Sequence, residues 1–394
     1  MERSKSFQTG NVLLISFGHF MHDIYTSFLA PILPLLIEKF GMSYSMASLL
    51  GLMQRLPNVI NPFLGLLADK IAMRYLVIIT PALTALTMSF IGMAPTFTVA
   101  AVLLFVTGIS SALFHVPTPV MTRRVSGDRV GRGMSIYMFG GEIARTVGPL
   151  IVLGAVSIWG LEGTYKLVPF GVFASILLFI KLRKIKISDA FSRDKKELNL
   201  AKTFKKHLPF FIILVGITFF RSVMRASLTN YLPTYMTLRG ESLWVGGVFL
   251  SVLELSGALG VLFWGSYSDK IGRRRALMMI VITAPALMFA FTSLSGWWSL
   301  PMLVMLGFFL LGTTPILLAL VQDRSKDRPA FFNGMFLTIS FGSEAVSLML
   351  VGVISDWIGL EETFRWAPVV ALGAIPFVFF LKEGFKNHAR VKTL

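Results

Sequence analysis

Twelve apolar segments, each long enough to cross a bilayer, leave this chain few folds to choose from. They fall near 11–37, 44–68, 76–94, 97–121, 132–157 and 163–181, then near 208–235, 243–267, 275–294, 297–321, 329–356 and 363–381. About 20 apolar residues in a helix span a hydrocarbon layer ~30 Å thick. In lipid every backbone polar group must be satisfied inside the structure, and segments of this length do that as helices. The expected class is an all-α integral membrane protein. Composition agrees, since 14% of residues are charged where soluble domains carry about 25%. The first ten residues are polar, and the run after them is too long and too charged at its middle for a cleaved signal, so it reads as a retained first span.

One polar stretch interrupts the pattern. Residues 181–207 hold ten Lys and Arg, and each such charge costs about 2.5–3.5 kcal/mol at the centre of a membrane helix. The stretch therefore lies in water. It divides the chain into an N-terminal six-helix bundle (1–180), a basic cytoplasmic linker (181–207) and a C-terminal six-helix bundle (208–394). The halves are related: GLLADKI at 65–71 recurs as GSYSDKI at 265–271, GLEGTYK at 160–166 as GLEETFR at 359–365, and SGDR at 126–129 as SKDR at 325–328. A parallel repeat of this length implies two bundles related by a pseudo-two-fold axis along the membrane normal.

Charge gives the orientation. If both termini share a side, that side holds 29 Lys and Arg, the opposite loops hold four (Lys39, Lys166, Arg239, Arg365), and four lie within spans. The positive-inside rule then places both termini in the cytoplasm, and the expected location is the plasma (cytoplasmic) membrane, a cell inner membrane. The same distribution accounts for the net charge of +17 without nucleic acid. Cysteine is absent, so no thiolate chemistry is available. Neither H-E-x-x-H, G-x-S-x-G nor a P-loop occurs, and no enzyme activity is expected.

The loop after the eighth span reads Gly265-Ser-Tyr-Ser-Asp269-Lys270-Ile-Gly-Arg273, and the loop after the second reads Gly65-Leu-Leu-Ala-Asp69-Lys70. Glycine permits close helix approach, and an aspartate at a helix end can pair with arginine. These residues resemble the cytoplasmic signature of the major facilitator superfamily. The second copy is nearly complete, and the first has Ala72-Met73 where Gly-Arg is usual. The resemblance implies a gate latch at Gly65, Asp69, Lys70, Gly265, Asp269 and Arg273. Gly140-Gly141 and Gly148-Pro149 in span 5 look like part of that superfamily's antiporter motif, with Ala144 replacing a glycine. Glycine for packing and proline for a kink is the equal alternative.

In span 1, Ser16, His19 and Asp23, with Phe114-His115 and Pro117 in span 4, resemble the fosmidomycin-resistance family of drug:proton antiporters. That resemblance implies proton-driven export of drugs or small organic compounds. Three of the five histidines lie at membrane depth beside an aspartate. Asp23, His19, His22, His115 and Glu142 are the candidates for proton coupling. A structural hydrogen-bond network and a metal site are the alternatives for the His–Asp group. Imidazole and carboxylate suit a transition metal, but the lack of cysteine and four nearby arginines weigh against it, and neither metal nor cofactor is expected.

The remaining intramembrane charges are Arg55, Arg145, Arg221, Arg225, Glu254 and Glu344. Charges at such depth are functional by default, although ion pairing alone would also balance them. Arg221 and Arg225, four apart on one helix face, suit a bidentate carboxylate, phosphate or phosphonate. With Arg145, Arg55, Glu254, Glu344, Tyr25 and Phe219 they form the candidate substrate site. The function that follows is a monomeric proton-coupled antiporter that exports a small anionic or amphipathic compound by alternating access. The alternatives are uptake by symport, organophosphate exchange and, further off, divalent-metal transport. The partners are a small molecule, protons and the bilayer.

Overall fold

Proline decides where several helices of this chain break. The structure, a computed structural model, describes residues 6–60, 73–183, 200–324 and 329–381, and among these it is helical with no strands. The first apolar run becomes α1 (Thr9–Thr26) and α2 (Leu29–Phe40). Pro31 and Pro34 have no N–H to return to the preceding turn, and the chain tightens there, with the Phe28 N–H donating to the Tyr25 carbonyl. After α3 (Tyr44–Arg55) and α4 (Met73–Ser89), the fourth run divides in the same way. There α5 (Phe97–His115) ends just before Pro117, and α6 (Thr118–Val125) resumes after it. Then come α7 (Val130–Trp159) and α8 (Val168–Leu182).

The second half follows as α9 (Leu200–Leu238), α10 (Leu243–Ile271), α11 (Arg273–Ser293), α12 (Ser299–Leu311) and α13 (Thr313–Arg324). It ends with α14 (Pro329–Ile358), α15 (Leu360–Ala371) and α16 (Ala374–Phe379). Among the described residues, ten helical units are long and apolar enough to cross a membrane. The helical stretches Tyr44–Arg55 with Leu56–Ile60, and α15 with α16, stand where the other two spans are expected. One boundary differs: α9 starts at Leu200, inside the expected linker. Lysine is a good helix former in water, so Lys202, Lys205 and Lys206 do not stop the helix. Residues 184–199 lie outside the described residues.

Compactness groups the chain differently from the repeat. One unit comprises Met1–Leu198, Arg225–Leu255 and Glu344–Phe364, the other Asn199–Met224, Ser256–Ser343 and Arg365–Leu394. In the first unit, Ile15, Val77, Phe114, Met121, Tyr137 and Leu178 form part of one buried cluster drawn from α1 and α4–α8. Lipid is as apolar as leucine, so close contact rather than water release holds such packing. Small residues permit it. A Cβ at Gly140 would lie 2.6 Å from the Ser16 carbonyl oxygen, and one at Gly148 would lie 2.9 Å from that of Ile24. The glycine-rich face of α7 is thus where α1 docks.

The same unit ties α3 to segments from the second half. Asp356 on α14 accepts from the N–H groups of Tyr44 (2.7 Å) and Ser45 (3.1 Å), which have no partner inside their own helix. Ser43 caps the Met46 N–H at the same end. The Tyr231 hydroxyl lies 2.6 Å from Ser48 Oγ and 2.6 Å from the Tyr44 carbonyl oxygen, while Trp244 donates to Ser157.

In the second unit, aromatic side chains dominate. Trp264 is buried against Phe309 at 5.2 Å between centroids, and a Cβ at Gly260 would strike the Phe308 backbone. Gly272 separates α10 from α11 with a φ of 97°, a conformation that disfavours any side chain. This is the glycine of the second signature copy.

Candidate functional site

Two polar clusters lie among the apolar helices of the first unit. The first surrounds Asp23 on α1. Residues 19 and 23 are one turn apart and share a face, while His115 arrives from the last residue of α5. His19 Nε2 lies 3.2 Å from Asp23 Oδ2, His115 Nε2 lies 3.3 Å from Oδ1, and the His22 Nδ1–H donates to Oδ1 at 3.0 Å. Asp23, His19 and His22 are buried, and His115 keeps a third of its side-chain surface. His22 stacks on Phe114 at 4.5 Å, and His19 stacks on Tyr137 at 4.1 Å. All four side chains that the sequence pointed to here come together.

The backbone fixes one tautomer. His19 Nδ1 lies 2.8 Å from the Tyr137 carbonyl oxygen, which can only accept, so Nδ1 carries a hydrogen. Nε2 is the atom left to face Asp23. Gly141 opens the space beside it, since a Cβ there would lie 2.7 Å from His19 Nε2 and 3.2 Å from Asp23 Oδ2.

The second cluster contains three arginines and three glutamates. Arg145 pairs with Glu142 one turn earlier on α7, and its Nε lies 4.0 Å from Glu254 on α10. Glu344 on α14 takes Arg225 of α9 at 3.1 Å and stands 3.6 Å from Arg55 of α3. Arg55 also donates to Asn230 at 3.1 Å, and Asn230 is held by the Ala226 carbonyl. The sequence named the six charges and allowed that ion pairing balances them, but it did not fix which arginine meets which acid, and it passed over Asn230. An asparagine in an apolar run was the available signal.

The other candidates sit elsewhere. The Tyr25 hydroxyl donates to the Leu167 carbonyl at 2.7 Å, so it ties α1 to the start of α8. Arg221 and Phe219 belong to the second unit, where Arg221 is buried and Phe219 contacts Phe220 edge-on. In that unit Arg273 pairs with Asp269, stands 3.6 Å from Asp323 on α13, and lies 2.5 Å from Ser268 Oγ. Gly265 faces Pro315 at the same place. Gly65, Asp69 and Lys70 lie outside the described residues.

Helices of spanning length that carry charged clusters among them are the build of a membrane transport protein. The chain belongs to the Major Facilitator Superfamily, whose model matches residues 15–347. It is 23% identical over 380 residues to the fosmidomycin resistance protein of Escherichia coli K12, covering 95% of this chain and 93% of that one. It is 22% identical over 281 residues to the multi-drug resistance efflux pump PmrA of Streptococcus pneumoniae, covering 68% and 69%. In fold it is similar to a bacterial homolog of the human lysosomal transporter Spinster in an inward-facing, unoccupied conformation, with a TM-score of 0.78, 14% identity and coverage of 96% and 97%. It is also similar to the nucleoside transporter NupG, with a TM-score of 0.71, 14% identity and coverage of 94% and 100%. The chain is a multi-pass membrane transporter.

Proposed function

We propose that this transporter exports a small anionic or amphipathic organic compound in exchange for protons, by alternating access. The observation that carries the reading is Arg145, which has a carboxylate on each side, Glu142 on its own helix and Glu254 on α10. Arg145 keeps 40% of its side-chain surface, so it is reachable. An ionised Glu142 holds the guanidinium, and protonation of Glu142 releases it to bind a substrate carboxylate, phosphate or phosphonate. By itself that step lets substrate and proton bind together, as symport does; in exchange, substrate binding instead displaces the proton, so that the two are carried in turn. Arg225 and Arg55, which share Glu344, supply a second anion-binding pair of the same kind. Asp23 is the other acid available to the exchange. Arg221 and the gate residues act with them in this scheme, in a monomer whose termini face the cytoplasm.

Support from outside the chain comes from the names of two relatives, a fosmidomycin resistance protein and a multi-drug efflux pump. The test is transport in proteoliposomes under an imposed pH gradient, with a panel of anionic drugs and metabolites. Glu142→Gln keeps the shape and most hydrogen bonds but cannot titrate. It is expected to lose pH-driven flux while the protein stays folded. Flux with the wild-type pH profile in this variant would sink the exchange at Arg145.

A further inference from the structure

We propose that His19, Asp23 and His115 form a binding site for one divalent transition-metal ion of the zinc or cobalt class. His19 Nδ1 is committed to the Tyr137 carbonyl, so in the neutral ring the Nε2 lone pair points at a carboxylate oxygen 3.2 Å away. Two lone-pair donors held face to face at that distance are bridged by a positive charge, either a proton on Nε2 or a metal ion taking its place. Asp23 turns its other oxygen to His115 Nε2 at 3.3 Å, and the three ligand atoms all lie within 4.8 Å of one another. Tetrahedral zinc, with bonds of about 2.0–2.2 Å to nitrogen and oxygen, separates its ligands by roughly 3.3–3.6 Å; the two short contacts here use different oxygens of Asp23, so a small turn of the carboxylate brings one oxygen to both histidines.

The surroundings are those of a metal site. The carbonyl on the far nitrogen of a histidine ligand fixes its tautomer and raises its basicity, and here Tyr137 provides it. His22 does the same for the carboxylate by donating to Asp23 Oδ1. Gly141 keeps clear the volume that a Cβ would fill beside His19 Nε2 and Asp23 Oδ2. His115 keeps a third of its side-chain surface, so the cluster is not sealed on that side. The nearby arginines looked unfavourable in the sequence. In the structure Arg145 is matched by two carboxylates, and Arg55 and Arg225 lie against Glu344.

The inference concerns binding and does not rest on the transport reading. Its test is a titration of the purified full-length protein, free of any affinity tag, with Co2+. The expected result is saturation at one equivalent, the visible absorption of four-coordinate cobalt, its loss when Zn2+ is added, and a melting temperature that rises with metal concentration. His115→Gln and Asp23→Asn are expected to weaken binding at least ten-fold. His207→Gln, which alters a histidine of the second unit, is expected to leave it unchanged. No saturable binding, or wild-type binding in His115→Gln, overturns the site. Should Asp23→Asn fail to fold, the partly exposed His115 decides alone. Transport is not measured, so the exchange mechanism and the metal site fail separately.

Discussion

Replacing Glu344 tests whether the arginines of the polar network depend on their acids. Glu344 stands 3.1 Å from Arg225 and 3.6 Å from Arg55, and its side chain is 16% exposed. At an effective dielectric of ~20, each contact is worth about 5 kcal/mol of gross attraction, most of it offset by the loss of hydration. What Glu344→Ala exposes is the residue of that balance, two guanidinium groups facing each other with no acid between them. Breaking a buried pair costs about 3–5 kcal/mol, and since both arginines keep over a quarter of their surface the lower figure, about 3 kcal/mol, applies. With an unfolding entropy of roughly 2.1 cal/mol/K per residue, the 394 residues give a fall of at least ~3 °C in melting temperature. The fall is read from tryptophan fluorescence in detergent. Glu344→Gln, which keeps the shape, separates charge from packing. Combined with Arg225→Gln, it should show a coupling above about 1 kcal/mol. Effects that add within ~0.5 kcal/mol would refute the pairing.

Two further variants probe the sites. Arg225→Lys keeps the charge but loses the planar fork, so flux of an anionic substrate should fall ten-fold or more while the melting temperature moves by about 1 °C or less; full flux would remove Arg225 from substrate binding. Gly141→Ala puts a methyl group against His19 Nε2, and overpacking of this kind costs about 1–3 kcal/mol. Gly154→Ala on the same helix meets nothing within 4 Å and serves as the control; equal melting temperatures in the two would show that Gly141 guards no space.

The fold was legible because membrane helices announce themselves one at a time. A run of apolar residues, a proline such as Pro117, or a charged turn such as Lys270 to Arg275 carries its meaning locally. The His–Asp cluster was partly legible for the same reason, since His19 and Asp23 are one helical turn apart. His115 joined them through the family resemblance. Pairing between distant segments was not legible. Nothing in the neighbourhood of Glu344 says that it meets Arg55, almost 300 residues earlier by the sequence numbers. The Tyr137 carbonyl belongs to the backbone, and any residue there offers the same oxygen, so composition holds no trace of its role. Asp356 was overlooked because it stands at the end of an expected span, where an aspartate is ordinary.

That aspartate bears on how the first unit holds itself together. The Asp356 carboxylate and the Tyr44 and Ser45 amides it grips are at the exposed edge of the helices. When the contact lets go, water bonds to the same N–H groups and hydrates the freed carboxylate, so little is lost on either side. A helix cap of this kind is worth about 1 kcal/mol, roughly a fivefold preference for the closed contact. So light a contact aligns α3 with α14 and would add almost no barrier to their parting.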